Sequence, residues 1–133
     1  MPLPLTNRVR PGDNFTGSVA YQASTGDFVI TLTDSTQKWT QTVSQAVAGA
    51  VRNSAEVIAE APSSGTSGAV LPLTNFGTVN FVGATVNGGQ LCQSSLVEIL
   101  MPSVSVSPIS GCTNFSVSYT GGASGGWPPW PYL

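Results

Sequence analysis

Two stretches near the start of the chain alternate apolar and polar residues with a period of two. Phe15, Gly17, Val19 and Tyr21 oppose Thr16, Ser18 and Ala20, and Phe28, Ile30 and Leu32 oppose Val29, Thr31 and Thr33. Side chains alternate across a strand, and both runs are rich in β-branched and aromatic residues. The pattern therefore predicts strands at 15–22 and 27–34, joined through Ser24-Thr25-Gly26. Ahead of them, Pro2, Pro4 and Pro11-Gly12-Asp13 read as an extended lead-in closed by a turn. Asp13, Asp27 and Asp34 stand at the ends of these runs, where aspartate is first of all a turn former.

Between Lys38 and Ala61 the pattern fits two structures. Val43, Val47, Val51, Ala55 and Ile58 or Ala59 recur at helical spacing, whereas Trp39, Gln41 and Val43 also fit a strand. Gly49, Asn53 and Ser54 interrupt a helix and suit a strand, loop, strand arrangement. Further on, Pro62 to Gly68 is a Ser/Gly loop, and Leu71-Pro72-Leu73 leads into a strand at Thr78–Val86. The chain then turns at Asn87-Gly88-Gly89. Strands are expected at Leu96–Met101, Val104–Val106 and Asn114–Thr120. Short strands at regular spacing predict an all-β domain over residues 1–120, an antiparallel sandwich or barrel. Gly121–Gly126 reads as a linker, and Trp127–Leu133 as a Pro/aromatic tail favouring polyproline II.

Charge removes several function classes. Four basic and six acidic residues among 133, with no runs, offer no footprint for nucleic acid or an anionic membrane. No apolar stretch approaches the ~20 residues needed to cross a bilayer as a helix. Without histidine there is no Ser-His or Cys-His nucleophile pair and no His-based metal set. No P-loop or dinucleotide fingerprint is present, so neither a metal nor a cofactor is expected, and any chemistry rests on carboxylates. The same scarcity of ionisable groups is compatible with an acidic workplace. Cys92 and Cys112 have no neighbouring Cys or His to complete a zinc set, which favours a disulfide and an exported, extracellular protein. Asn14-Phe15-Thr16 and Asn114-Phe115-Ser116 fit the glycosylation acceptor pattern. Residues 1–4 do not read as a signal peptide, so the expectation is a processed chain or one piece of a longer precursor.

Two of the carboxylates, Glu56 and Glu60, lie in an otherwise small and apolar run, residues 53–62. On a helix they would be an i,i+4 pair on a solvated face. On a strand, Glu56, Ile58 and Glu60 share one face while Ala55, Val57, Ala59 and Ala61 pack on the other. The two carboxylates would then be about 13 Å apart, beyond the ~9.5 Å limit of a paired glycosidase site. They are not a two-carboxylate machine by themselves.

The run Ser54–Pro62, followed by Leu71-Pro72-Leu73-Thr74-Asn75-Phe76-Gly77-Thr78-Val79-Asn80-Phe81, resembles the Ala-Glu-Trp-Ile-x-Glu and Phe-Gly-x-Val-x-Phe blocks of the glutamic peptidases, the eqolisins. Pro11-Gly12-Asp13 is similar to that family's Gly-Asp turn, and Phe115–Thr120 to its last strand. The resemblance implies a lectin-like, jelly-roll type antiparallel β-sandwich whose concave face carries a glutamate and a glutamine. In such a site the glutamate is a general base toward water and then a general acid toward the leaving amine, while the neutral amide steadies the oxyanion. Position by position, the catalytic glutamate falls on Glu60, with Glu56 supporting it and Ile58 and Trp39 as candidates for a substrate groove.

Two departures from the family pattern stand out. Val57 replaces the motif tryptophan, and no segment resembles the block that bears the catalytic glutamine, so none of Gln22, Gln37, Gln41, Gln45, Gln90 and Gln93 is given that role. A sandwich lacking strands exposes edges and apolar surface. The expectation is that another segment, a second chain or self-association completes it, with a protein or peptide as substrate. The competing readings are a non-catalytic lectin-like module, binding glycans or peptides through Trp39 or Tyr21, and a self-assembling structural subunit. A docking role for the Trp/Pro tail is a further possibility of the sequence.

Overall fold

The alternating runs form the first sheet. The structure, a computed structural model, describes residues 6–99 and 101–121. Strand β1 (Phe15–Gln22) pairs antiparallel with β2 (Asp27–Asp34), and β2 with β3 (Trp39–Ala46), in the order β1-β2-β3. The bounds of β1 and the β2 run are those that the alternation predicts. Gly26 turns the hairpin at φ 78°, accepted at no steric cost because glycine has no Cβ, and its N–H donates to the Gln22 carbonyl at 2.9 Å.

Register sorts the two faces. On one face stand Phe15, Gly17, Val19 and Tyr21 beside Asp34, Leu32, Ile30 and Phe28, and these beside Trp39, Gln41, Val43 and Gln45. The other face is a hydroxyl lattice. Thr31 and Thr42 are joined through their Oγ1 atoms at 3.2 Å, Thr33 and Thr40 at 3.0 Å, and Ser44 donates to Asp27 Oδ2 at 3.0 Å. Cross-strand pairs of this kind stabilise a sheet by tenths of a kcal/mol each, up to about 1.

No helix forms where the spacing of Val43, Val47 and Val51 permitted one. Eight residues of β3 pair with β2 instead, and the chain beyond takes left-handed φ at Gly49 (78°) and Arg52 (54°), which a right-handed helix forbids. Tertiary pairing overrides a periodicity that was only marginal for a helix. The Arg52 guanidinium lies 3.9 Å from the Tyr21 ring centroid, and this cation–π contact holds the non-glycine residue in place.

The chain divides into two compact units, Met1–Arg52 and Asn53–Leu133. In the second, β4 (Thr78–Phe81), β7 (Val104–Val106) and β8 (Phe115–Tyr119) form an antiparallel sheet in the order β4-β8-β7. Phe81 and Phe115, cross-strand partners, stack at 4.7 Å between centroids, and Phe76 meets Tyr119 edge to face at 6.2 Å. The expected strand at 78–86 is split, because Gly83 (φ 69°) breaks it after Phe81. Thr85–Val86 (β5) instead forms a small ribbon with Gly89–Gln90 (β6). Asn87 (φ 51°) and Gly88 (φ 75°) give that ribbon the pair of left-handed residues of a type I′ turn.

One expected strand is absent. Residues 95–99 pair with nothing among the described residues, and Leu96, Val97 and Ile99 are exposed. Alternation alone does not make a strand without a neighbour to complete its ladder. Ahead of them Leu91–Gln93 form one 3-10 turn, and Cys92 bonds to Cys112 with their Cα atoms 5.1 Å apart. The buried apolar side chains among the described residues are Ala61, Leu91, Met101 and Val117, all in the second unit. Among the described residues the chain is thus all-β, with antiparallel sheets of sandwich-like type and no closed barrel. The predicted linker beyond Gly121 and the Trp127–Leu133 tail lie outside the described residues.

Candidate functional site

Residues 53–62 form neither helix nor strand, so the ladder geometry that would fix Glu56 and Glu60 about 13 Å apart is not adopted. The strand-like alternation of burial persists all the same. Glu56, Ile58 and Glu60 are exposed, Val57 and Ala59 are half-buried, and Ala61 is buried. The small apolar side of the run packs inward from Val57 on and carries its carboxylates outward, whereas Ala55, expected on the packed side, is exposed because the run does not form a strand there.

What fixes the end of this run is the loop that follows. The Leu71 N–H donates to the Pro62 carbonyl at 2.8 Å, Ser63 and Val70 form an antiparallel bridge, and the Ser64 N–H donates to the Ala69 carbonyl at 2.8 Å. Glu60 therefore stands one residue before a buried alanine and two before a hydrogen-bonded proline. Among the described residues neither Glu56 nor Glu60 has a hydrogen-bond, ion-pair or ring partner. A carboxylate so placed is free to act on a solvent molecule or a ligand.

The block after it is also built locally. The Gly77 N–H donates to Asn75 Oδ1 at 2.9 Å, forming an Asx turn. Gly77 takes φ 70° there and its carbonyl accepts the Tyr119 N–H at 2.8 Å. The Phe-Gly pair thereby delivers β4 to β8.

The other residues marked in the sequence are distributed as follows. Ile58 is in the second unit, on the side of its segment that bears the two glutamates. Trp39 is in the first unit, half-buried, its ring edge-to-face with Phe15 at 5.9 Å and its Nε1–H donated to the Arg8 carbonyl at 3.0 Å. Among the glutamines, Gln37 Nε2 donates to Asp13 Oδ1 at 2.9 Å, Gln41 Oε1 accepts from Asn7 at 3.3 Å, and Gln93 Oε1 accepts the Gln90 N–H at 3.0 Å. All three side chains are thus committed to local structure. Among the described residues no three His, Cys, Asp or Glu side chains converge.

The residue that sequence reading underrated is Asp34. It forms a turn as expected, its Oδ1 accepting the N–H of Thr36 at 2.9 Å and of Gln37 at 2.8 Å, but it is also 0% exposed. Only its register between Phe15 and Trp39 could have signalled this. Its neighbour Asp13 ends the Arg10–Asp13 turn, where Pro11 and Gly12 (φ 87°) occupy the central positions of a type II turn. Burial works against ionisation of Asp13, yet the Gln37 amide, the Arg10 backbone N–H, the Asp34 carboxyl and the Arg10 charge together hold it below the ordinary aspartate value.

Among the described residues the chain is all-β, with exposed glutamates on a small-residue run followed by a Phe-Gly-led strand. Residues 4–119 match the family model described as the peptidase A4 family, and the chain belongs to that family, the glutamic peptidases. Searches of curated proteins and of solved structures return no match.

Proposed function

We propose that this chain is an exported, acid-active glutamic endopeptidase, or the larger piece of one, with Glu60 as its general acid/base. One observation carries the reading: Glu60, the glutamate that the motif resemblance assigns as catalytic, is exposed, has no partner among the described residues, and is held next to an anchored alanine and proline. Membership of the family and the Cys92–Cys112 pair support export to an oxidising compartment.

In the proposed reaction Glu60 takes a proton from water as the oxygen attacks the scissile carbonyl carbon. A neutral amide donor stabilises the oxyanion without titrating at low pH. Glu60 then returns the proton to the amine as the C–N bond breaks. Glu56 supports the site and Ile58, in the same unit, is a groove candidate beside it; Trp39 is a groove candidate of the first unit. The amide donor comes from a glutamine outside the segments matched to the motif, supplied by a further segment or a second chain. The test is cleavage of an unfolded protein at acid pH by the chain alone and joined to its upstream segment. Proteolysis lost in Glu60→Gln supports the reading; a wild-type protein inert in both forms ends it.

A second reading draws on a different observation. On the apolar face of the first sheet Phe15, Val19, Tyr21 and Ile30 are exposed, as in a non-catalytic lectin-like module or a self-assembling subunit. Glycan-array binding without hydrolysis, or a solution mass above that of one chain, favours this alternative.

A further inference from the structure

The sequence holds two triplets of the Asn-x-Ser/Thr form, and the fold treats them oppositely. Asn14, Phe15 and Thr16 are all exposed, whereas Asn114, Phe115 and Ser116 are all half-buried. Asn14 lies between the Arg10–Asp13 turn and β1, at the end of the β1–β2 hairpin away from Gly26. Strand β1 pairs only with β2 among the described residues, so this triplet runs onto a sheet edge. The backbone of Asn14 carries the local structure. Its N–H donates to Thr36 Oγ1 at 3.0 Å and its carbonyl accepts the Ser35 N–H at 2.9 Å. The side chain adds one long, exposed bond, from Nδ2 to Thr36 Oγ1 at 3.4 Å, and losing it strands no buried group. The Thr16 hydroxyl has no partner among the described residues.

Asn114 is held by its side chain instead. Its Oδ1 accepts the Gly83 N–H at 2.8 Å and the Thr113 hydroxyl at 3.1 Å, and its Nδ2 lies 3.9 Å from the point that a Cβ on Gly111 would occupy. The amide thus ties Gly83, where the chain leaves β4, to the turn before β8, the middle strand of its sheet. The Cys92–Cys112 bond and the Phe81–Phe115 stack fix the residues on either side. An oligosaccharide is bulky and hydrated, and it suits a surface segment that gives up no structure to carry it. The first triplet meets that condition and the second does not.

We propose that Asn14 is an N-glycosylation site of this chain and that Asn114, despite its matching motif, is not.

The co-reactant is a lipid-linked oligosaccharide diphosphate. Asn14 Nδ2 forms a bond to its anomeric carbon, the bond from that carbon to the diphosphate oxygen breaks, and the lipid diphosphate leaves with the electron pair. Nδ2 gives up one of its two protons and keeps the other. The sugar then stands at the edge of the first sheet, on a residue with no assigned part in the proposed catalysis. The inference rests on the export reading and not on Glu60.

The experiment sends the full chain through the secretory pathway of a yeast behind a host leader. The secreted protein is treated with peptide N-glycosidase in heavy-oxygen water, which converts each glycosylated asparagine into a mass-tagged aspartate, and peptide masses then report both sites. One glycan is expected, on Asn14, lost in Asn14→Gln and in Thr16→Ala and kept in Asn114→Gln. An unmodified Asn14 in the secreted wild type overturns the proposal, and so does a glycan on Asn114. Where the chain is not secreted, translation with microsomes gives the reading as a gel shift. A single step for the wild type that Asn14→Gln abolishes supports the proposal; any other pattern overturns it. Because the leader is the host's and no proteolysis is measured, the acceptor site can fail while the export and peptidase readings stand, and the reverse.

Discussion

The rings of Phe15 and Trp39 meet edge to face at 5.9 Å, across the one row of the first sheet in which Asp34 stands between them. Because the two aromatics flank a carboxyl group that is wholly buried, their contact serves more than packing. Trp39→Ala removes the aromatic pair and the N–H bond to the Arg8 carbonyl together. The expected loss is about 2–3 kcal/mol, below the range for a fully buried tryptophan because Trp39 is half-exposed. Trp39→Phe retains the ring contact and should lose about 1 kcal/mol. Urea denaturation of the three proteins checks the order.

At the proposed site, Glu60→Gln should lower peptide cleavage at acid pH by about 10²-fold or more, the usual contribution of a general acid–base group. Glu56→Gln should cost less than about tenfold, since its assigned role is support. Rates on one peptide substrate, with folding checked by circular dichroism, separate the two. Equal losses would remove the distinction between the glutamates.

Acid should act on the first unit through Asp13. A carboxyl held below its unfolded value contributes stability that is present above the ordinary aspartate range and is lost as pH falls through the folded value. Wild-type stability is therefore expected to fall as pH drops below the ordinary aspartate range. Asp13→Ala should flatten that fall, which melting temperatures measured across acid and neutral pH would show.

The Cys92–Cys112 bond closes a loop with a sequence separation of 20 that contains β7. Replacing both cysteines by serine should lower stability by about 3 kcal/mol, chiefly by freeing the unfolded chain. The double variant and the wild type, compared without and with reductant, test this, because only the wild type should respond.

In the β5–β6 ribbon, Gly88 holds φ 75° with open space where a Cβ would stand. Gly88→Ala should cost about 1 kcal/mol from backbone strain alone, and Asn87→Gly close to nothing, since both residues of the turn are left-handed. Denaturant midpoints of the two variants provide the comparison.

By itself, the sequence determined the local elements whose residues agree with their own surroundings. The bounds of β1 and the β2 run follow from alternation, the Asn87-Gly88 and Pro11-Gly12 turns from residues that tolerate left-handed φ, and the cysteine pair from elimination of metal chemistry. The same pattern oriented Glu56 and Glu60 outward, because the small apolar residues between them seek cover. Tertiary structure decided what depended on a neighbour. Residues 43–59 suited helix or strand, and pairing with β2 settled the first part while the left-handed Gly49 and Arg52 left the rest irregular. Leu96–Met101 has a strand's composition, but residues 96–99 have no partner among the described residues to complete a ladder. Asp34 looked like any turn aspartate until the register placed it between Phe15 and Trp39, where a turn-forming carboxyl is wholly buried. Short-range chemistry is written residue by residue, whereas burial and pairing belong to the juxtaposition of segments distant in sequence.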